Sequence, residues 1–237
     1  MLKQVQGLWP RLVFFLMIAA VIVTVIAQIT RETNREDAFQ PELSHTLVLD
    51  PGHGGFDGGA VSDDGTKESD LNLAIAVRAR QIAELVGQQT VMTRESDSAR
   101  TDFASYSEHE DLVHRSALVN DTPGAILLSI HQNDFPTGQP SGSQVLYASS
   151  DGSEVLGKLT HTNLIRLLDP ENRRVAEPAP RSLYLTSHVS CPAVLVECGF
   201  MSNNFEVLKL CDEKYQRKIS LILIGSLLQY LDTTEQT

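Results

Sequence analysis

Residues 125–131 read AILLSIH, an unbroken apolar run closed by a polar residue. A strand exposed on one face alternates apolar and polar side chains, whereas a strand buried on both faces does not. This run is of the second kind. Thr46–Asp50 (TLVLD) and Ala193–Glu197 (AVLVE) repeat the pattern. Thr90–Thr93, Ser143–Ala148 and Ser182–Leu185 read as further strands. Between them lie stretches with helical spacing. In Ser69–Gly87 the residues Leu71, Ala74, Ile75, Ile82 and Leu85 share a face, Ser69 is an N-cap and Gly87 a stop. Glu108–Asn120, Glu154–Leu168 and Tyr215–Leu231 are expected helices. Asn203, with Glu206 three residues on, caps a short one. Strands separated by helices predict an α/β domain with a largely parallel sheet covered on both faces.

Working outward, the chain begins differently. Leu12–Ile29 is 18 residues without a charge, roughly 27 Å long as a helix and close to the thickness of a bilayer's hydrocarbon. Lys3 and Arg11 precede it and Arg31 and Arg35 follow, a tie by the count of basic residues, so it is the early position and the terminal amine that place residues 1–11 on the cytoplasmic side and the rest outside. We read 12–29 as an uncleaved transmembrane anchor. A signal peptide cleaved near Ala27 is the alternative, and both export the domain. Residues 30–44 are polar, without apolar periodicity, and read as a linker. One domain is expected over residues 45–237.

The chain of 237 residues carries a net charge of −11. Its first 44 residues hold four basic and four acidic side chains, so the whole excess belongs to the domain. Such a surface repels phosphate backbones and argues against a nucleic-acid partner. Three cysteines, Cys191, Cys198 and Cys211, form no disulfide framework and read as small buried hydrophobes.

Open α/β sheets place their sites at the carboxyl ends of strands, and three strand ends here carry unexpected polar residues. The first runs into Asp50-Pro51-Gly52-His53-Gly54-Gly55-Phe56-Asp57-Gly58-Gly59, with five glycines between Pro51 and Gly59. A backbone so rich in glycine bends freely and lets a ligand approach. Another ends in Ser129-Ile130-His131-Gln132-Asn133, and another in Glu197-Cys198-Gly199. Glu68 stands just after the glycine loop. A carboxylate closing a core strand, as Glu197 does, is costly unless paired or metal-bound. Two histidines and a carboxylate are a common zinc set that leaves one position open for water. With no HExxH pattern, the residues alone leave a metal site and ordinary capping histidines as open alternatives.

Four segments in order, LDPGHGGFDGGA, KESDLNLAIA, SIHQN and PAVLVECGFMSN, resemble the zinc-dependent N-acetylmuramoyl-L-alanine amidases. The likeness runs from about Thr46 to Leu231. It implies a mixed six-stranded sheet flanked by helices, like that of zinc carboxypeptidases. It implies His53, Glu68 and His131 as zinc ligands, Glu197 as the catalytic carboxylate, and peptidoglycan as substrate, cut between the lactyl group of N-acetylmuramic acid and L-alanine. Met92–Asp97 (MTRESD), Tyr106, Asp111-Leu112, Arg115 and Asn120 look more narrowly like the germination-specific, spore-cortex amidases. That likeness implies a deacetylase partner that completes muramic-δ-lactam. An accessory activator protein is a further expected partner. Gln132 departs from the small residue usual after the second histidine, which puts substrate contact there in doubt.

Other readings compete. A metal-free cysteine amidase would use Cys198 with His131 or His188, although strand alternation turns Cys198 away if Glu197 faces the cleft. A wall-binding module with a degenerate site would not need the intact His, Glu, His and Glu set. A general autolysin is the alternative to the cortex enzyme. His45, His109, His114 and His161 read as surface or structural residues, His188 as another such residue with a place on the cleft wall as the alternative, and Arg115 and Asn120 as braces.

Overall fold

The computed structural model describes residues 23–24, 45–98, 107–136 and 140–235. The expected anchor and linker, apart from Val23 and Thr24, lie outside the described residues, as does Tyr106. Among the described residues no helix is long and apolar enough to cross a membrane.

Among the described residues there are six strands: β1 (Thr46–Pro51), β2 (Thr90–Met92), β3 (Ala125–Asn133), β4 (Gln144–Tyr147), β5 (Glu177–Pro178) and β6 (Ala193–Phe200). They lie in the order β2-β1-β3-β6-β4-β5. The first four in that order are mutually parallel, β4 runs antiparallel to β6, and β5 is parallel to β4. The helices are α1 (Glu68–Leu85), α2 (Glu108–Asp121), α3 (Ser153–Leu167), α4 (Tyr184–Ser187), α5 (Asn204–Cys211) and α6 (Glu213–Glu235). This is the expected mixed α/β domain.

Strand alternation divides the core. Leu47 and Leu49, Ile126, Leu128 and Ile130, and Val194, Val196 and Cys198 point to one face, where residues of α1, α3 and α6 cover them. Val48, Leu127 and Ala193 point to the other, against Val119 of α2 and Leu185 of α4. The unbroken apolar runs follow from this two-sided burial.

Three local readings need correction. Ser182–Leu185 is no strand: Tyr184–Ser187 form a helical turn in which Ser187 N and Thr186 Oγ1 both donate to Leu183 O. The strand at that edge is Glu177–Pro178 instead, two exposed residues. A proline cannot donate to a ladder and is tolerated only at an edge. Ser69 does not cap α1; the helix opens one residue earlier, with Lys67 as its cap residue and no side-chain bond there. Asn203 does cap α5, accepting from Phe205 N and Glu206 N, and Ser107 caps α2, accepting from Glu110 N. Of the cysteines only Cys198 is buried; Cys191 is half-buried, Cys211 is exposed, and all three are free thiols.

Candidate active site

Period-two alternation decides which strand-end residues meet. The parity that carries Val48, Leu127 and Ala193 also carries Asp50, Ser129, His131, Leu195 and Glu197, and all five of these line one cleft of about 640 Å³. His131 and Glu197 are register partners on β3 and β6 and stand side by side.

The glycine loop brings His53 to the same place. Its backbone has φ 60°, a left-handed conformation unusual for a residue with a Cβ. Two buried arginines hold the loop there. Arg115 donates to Pro51 O (2.9 Å), His53 O (2.7 Å) and the Asp50 carboxylate (2.8 Å). Arg94 donates to Pro51 O, Gly52 O and Ser69 O. Two glycines are required by close approach. A Cβ at Gly52 would strike the His131 ring, and one at Gly59 would lie 2.6 Å from Glu68 Oε2 at φ +64°.

Glu68, the first residue of α1, lies between the two histidines. Its Oε1 is 3.0 Å from His131 Nδ1 and 3.3 Å from His53 Nε2. The same carboxylate accepts from Ala60 N, Gln132 N and Asn72 Nδ2. Burial pushes its pKa up, but the hydrogen bonds and charges of the histidines win and hold it well below the carboxylate range. One ligand atom from each of His53, Glu68 and His131 falls within 4.8 Å of the others. Two imidazole nitrogens and a carboxylate oxygen so close together fit a zinc ion. The surrounding charge fits too: burial lowers the His53 pKa, but Asp57 and Glu68 override it and raise it to about 10, so the pocket favours positive charge.

Glu197 is different. Its Oε2 is buried and has no hydrogen-bond partner. Burial raises its pKa to about 7, with the His131 charge pulling only partly back. A half-buried carboxylate with one enclosed, unpartnered oxygen and a pKa near neutrality is what a proton-transfer group requires.

The N-acetylmuramoyl-L-alanine amidase family model matches residues 47–227. The chain belongs to that family. It is 36% identical over 198 residues to the germination-specific N-acetylmuramoyl-L-alanine amidase of Bacillus subtilis, covering 80% of this chain and 81% of that one. Among solved structures it resembles the CwlD amidase of Clostridioides difficile, determined in complex with the GerS lipoprotein. The TM-score is 0.75 at 34% identity, over 80% of this chain and 99% of that one. An N-acetylmuramoyl-L-alanine amidase from Clostridium difficile 630 matches with a TM-score of 0.70 at 29% identity, over 80% and 97%.

This amidase domain also contains site residues that the sequence reading left aside. Asp57 Oδ2 lies 2.6 Å from His53 Nδ1 and so turns Nε2 toward Glu68. A carboxylate behind a ligand histidine fixes its tautomer and orientation. Its signal was an Asp four residues after His53 in a glycine loop. The Asp50 carboxylate, read only as a strand end, joins Arg115, Thr93 Oγ1 and Ser129 Oγ into one buried brace. Asn120 is a brace as expected, donating to His188 O. His161, buried, bonds Arg174 O. Gln132 is turned inward, donating from Nε2 to Asn72 Oδ1. Cys198 lies in the core on the face opposite Glu197, and burial drives its thiol far above the ordinary range, so it is no nucleophile. His188 does not line the cleft but a neighbouring hollow.

Proposed function

We propose that residues 45–237 are a zinc-dependent amidase domain in which His53, Glu68 and His131 hold the metal and Glu197 moves the proton. The observation that carries this reading is the juxtaposition of three ligand atoms within 4.8 Å and one buried carboxylate oxygen without a partner. When bound, zinc would acidify water and polarise the scissile carbonyl. Glu197 takes the proton from the attacking water and delivers it to the departing L-alanine nitrogen. Asp57 keeps His53 oriented, and the Asp50–Arg115 brace holds the loop that presents it. The test is mass spectrometry of peptidoglycan fragments after incubation with the zinc-loaded protein. Stem peptides with a free L-alanine amine should appear and should vanish with a chelator. Cleavage that survives chelation, or at another bond, refutes the proposal. Changing His53, Glu68 or His131 to Ala should remove zinc while secondary structure stays; stoichiometric zinc in all three variants rejects these ligands.

The relatives support a narrower reading. Likeness to the germination-specific enzyme of Bacillus subtilis points to spore-cortex maturation, where freed muramic acid passes to a deacetylase that completes the δ-lactam. The solved relative is bound to a lipoprotein, which supports an accessory activator here. The apolar segment 12–29 would hold the domain outside the cytoplasmic membrane, next to the wall. Deleting the gene should leave vegetative growth and cell separation normal and give spores whose cortex lacks muramic-δ-lactam. Chained vegetative cells with lactam still present would instead mark a general autolysin.

A further inference from the structure

Beside the catalytic cleft, across the turn that carries α4, lies a second hollow of about 440 Å³. Ser149, Arg181, Thr186, Ser187 and His188 contribute to its lining, and Thr186 lines the cleft as well, so the two share a wall. Their linings differ in acidic content. Seven acidic side chains line the cleft, among them Glu68, Glu108, Asp134 and Glu197, whereas no acidic side chain lines the second hollow.

Arg181 is unusual among the arginines. Of nine among the described residues, eight direct their guanidinium to a carboxylate, an amide oxygen or a backbone carbonyl. Arg181 alone among the described residues makes no such contact, in a chain whose net charge is −11. The wall beside it is fixed. The His188 ring stacks on Tyr184 at 3.8 Å, its Nδ1 is 2.8 Å from Tyr184 O, and the His109 ring meets Tyr184 edge-on at 5.1 Å. Asn120 of α2 ties down both sides of His188, donating to its carbonyl and accepting from Ser190 N.

We propose that this hollow is a subsite of the amidase for a carboxylate of the stem peptide, with the Arg181 guanidinium as donor. The inference rests on the reading that places amide cleavage at Glu197. On one side of that amide the substrate continues into an uncharged sugar, and on the other into a peptide bearing carboxylates. The acids of the cleft outnumber Arg115, its one arginine, whereas the hollow over the shared wall holds Arg181 and no acid, and receives a carboxylate. An arginine fork matches a carboxylate with two parallel hydrogen bonds, and the exposed Arg181 guanidinium has no internal partner to give up on binding. Two carboxylates of a stem peptide share this chemistry: the free one on the second residue and the C-terminal one.

The test uses the full-length, zinc-loaded enzyme with three muropeptides: one unmodified, one amidated at the second residue and one amidated at the C-terminus. Arg181→Ala should raise KM for the unmodified muropeptide about tenfold, with kcat within about twofold, as for loss of an exposed charge-assisted contact. Arg181→Lys should recover part of the loss, and the unfolding midpoint should not move. The amidated muropeptide that has lost the recognised carboxylate should already show the raised KM with the wild-type enzyme and should be indifferent to Arg181→Ala. An unchanged KM for the unmodified muropeptide, or an equal loss for all three, overturns the subsite. Turnover by the wild-type protein and its loss in Glu197→Gln report separately on the reading beneath it.

Discussion

Asp50 and Glu197 are both carboxylates at the ends of parallel strands, both line the same cleft, and they meet opposite fates. Asp50 is fully engaged: Arg115, Thr93 and Ser129 all donate to it at 2.6–2.8 Å. Burial raises its pKa, but Arg115 and the two hydroxyls overcome this and hold it at about 2. Glu197 has an oxygen with no donor, and burial raises it to about 7. Burial is common to the two and partnership is not. A satisfied buried carboxylate is a brace, while an unsatisfied one is chemically available.

The largest way to break this contrast is to unpair the brace. Asp50→Ala leaves a buried guanidinium with Asp111 as its one remaining carboxylate. It should cost about 3–5 kcal/mol by denaturant titration. The wild-type contribution is present above the unfolded pKa of Asp50 and is lost as pH falls toward 2. A variant as stable as wild type at pH 7 would mean that Asp50 is no brace.

Glu197→Gln should leave the fold and zinc content alone and lower turnover on the order of a hundredfold or more. Loss of zinc would make Glu197 a ligand instead. Its pKa is raised, so the folded state holds a proton that the unfolded state releases, and metal-free stability falls with pH between about 4.5 and 7. Glu197→Gln should remove that fall, the reverse of the Asp50 variant.

Asp57→Asn weakens a partner of intermediate kind. It should lower zinc affinity roughly ten- to hundredfold, by competition with a chelator, without the stability loss of Asp50→Ala. An unchanged affinity would show that His53 needs no orienting carboxylate.

The smallest expected effect is on pH dependence. With Glu197 as the proposed base, kcat/KM should rise with pH along an acid limb as that carboxyl ionises. Burial sets its midpoint near 7, and a neighbouring cation can only pull it lower. Over the unit below the midpoint the change is about tenfold or less. A midpoint above 7 would assign the limb to another group.

The sequence determined the class of fold and named the residues of the candidate site, because both depend on short-range pattern. Apolar runs such as AILLSIH announce strands covered on both sides, and His53, Glu68, His131 and Glu197 stand in segments recognisable by order and spacing. It also foretold that Glu197 and Cys198 face opposite ways, since that is strand geometry. It failed where long-range contact decides the outcome. Ser182–Leu185 looks like a strand, but the edge position goes to Glu177–Pro178, and the turn at Tyr184 instead walls the cleft. Only tertiary structure put Asp50 under Arg115, 65 residues apart. Only tertiary structure left Glu197 without a donor. The reason is that a carboxylate's role is fixed by the donors that reach it in three dimensions, and those come from segments that neighbouring letters do not specify.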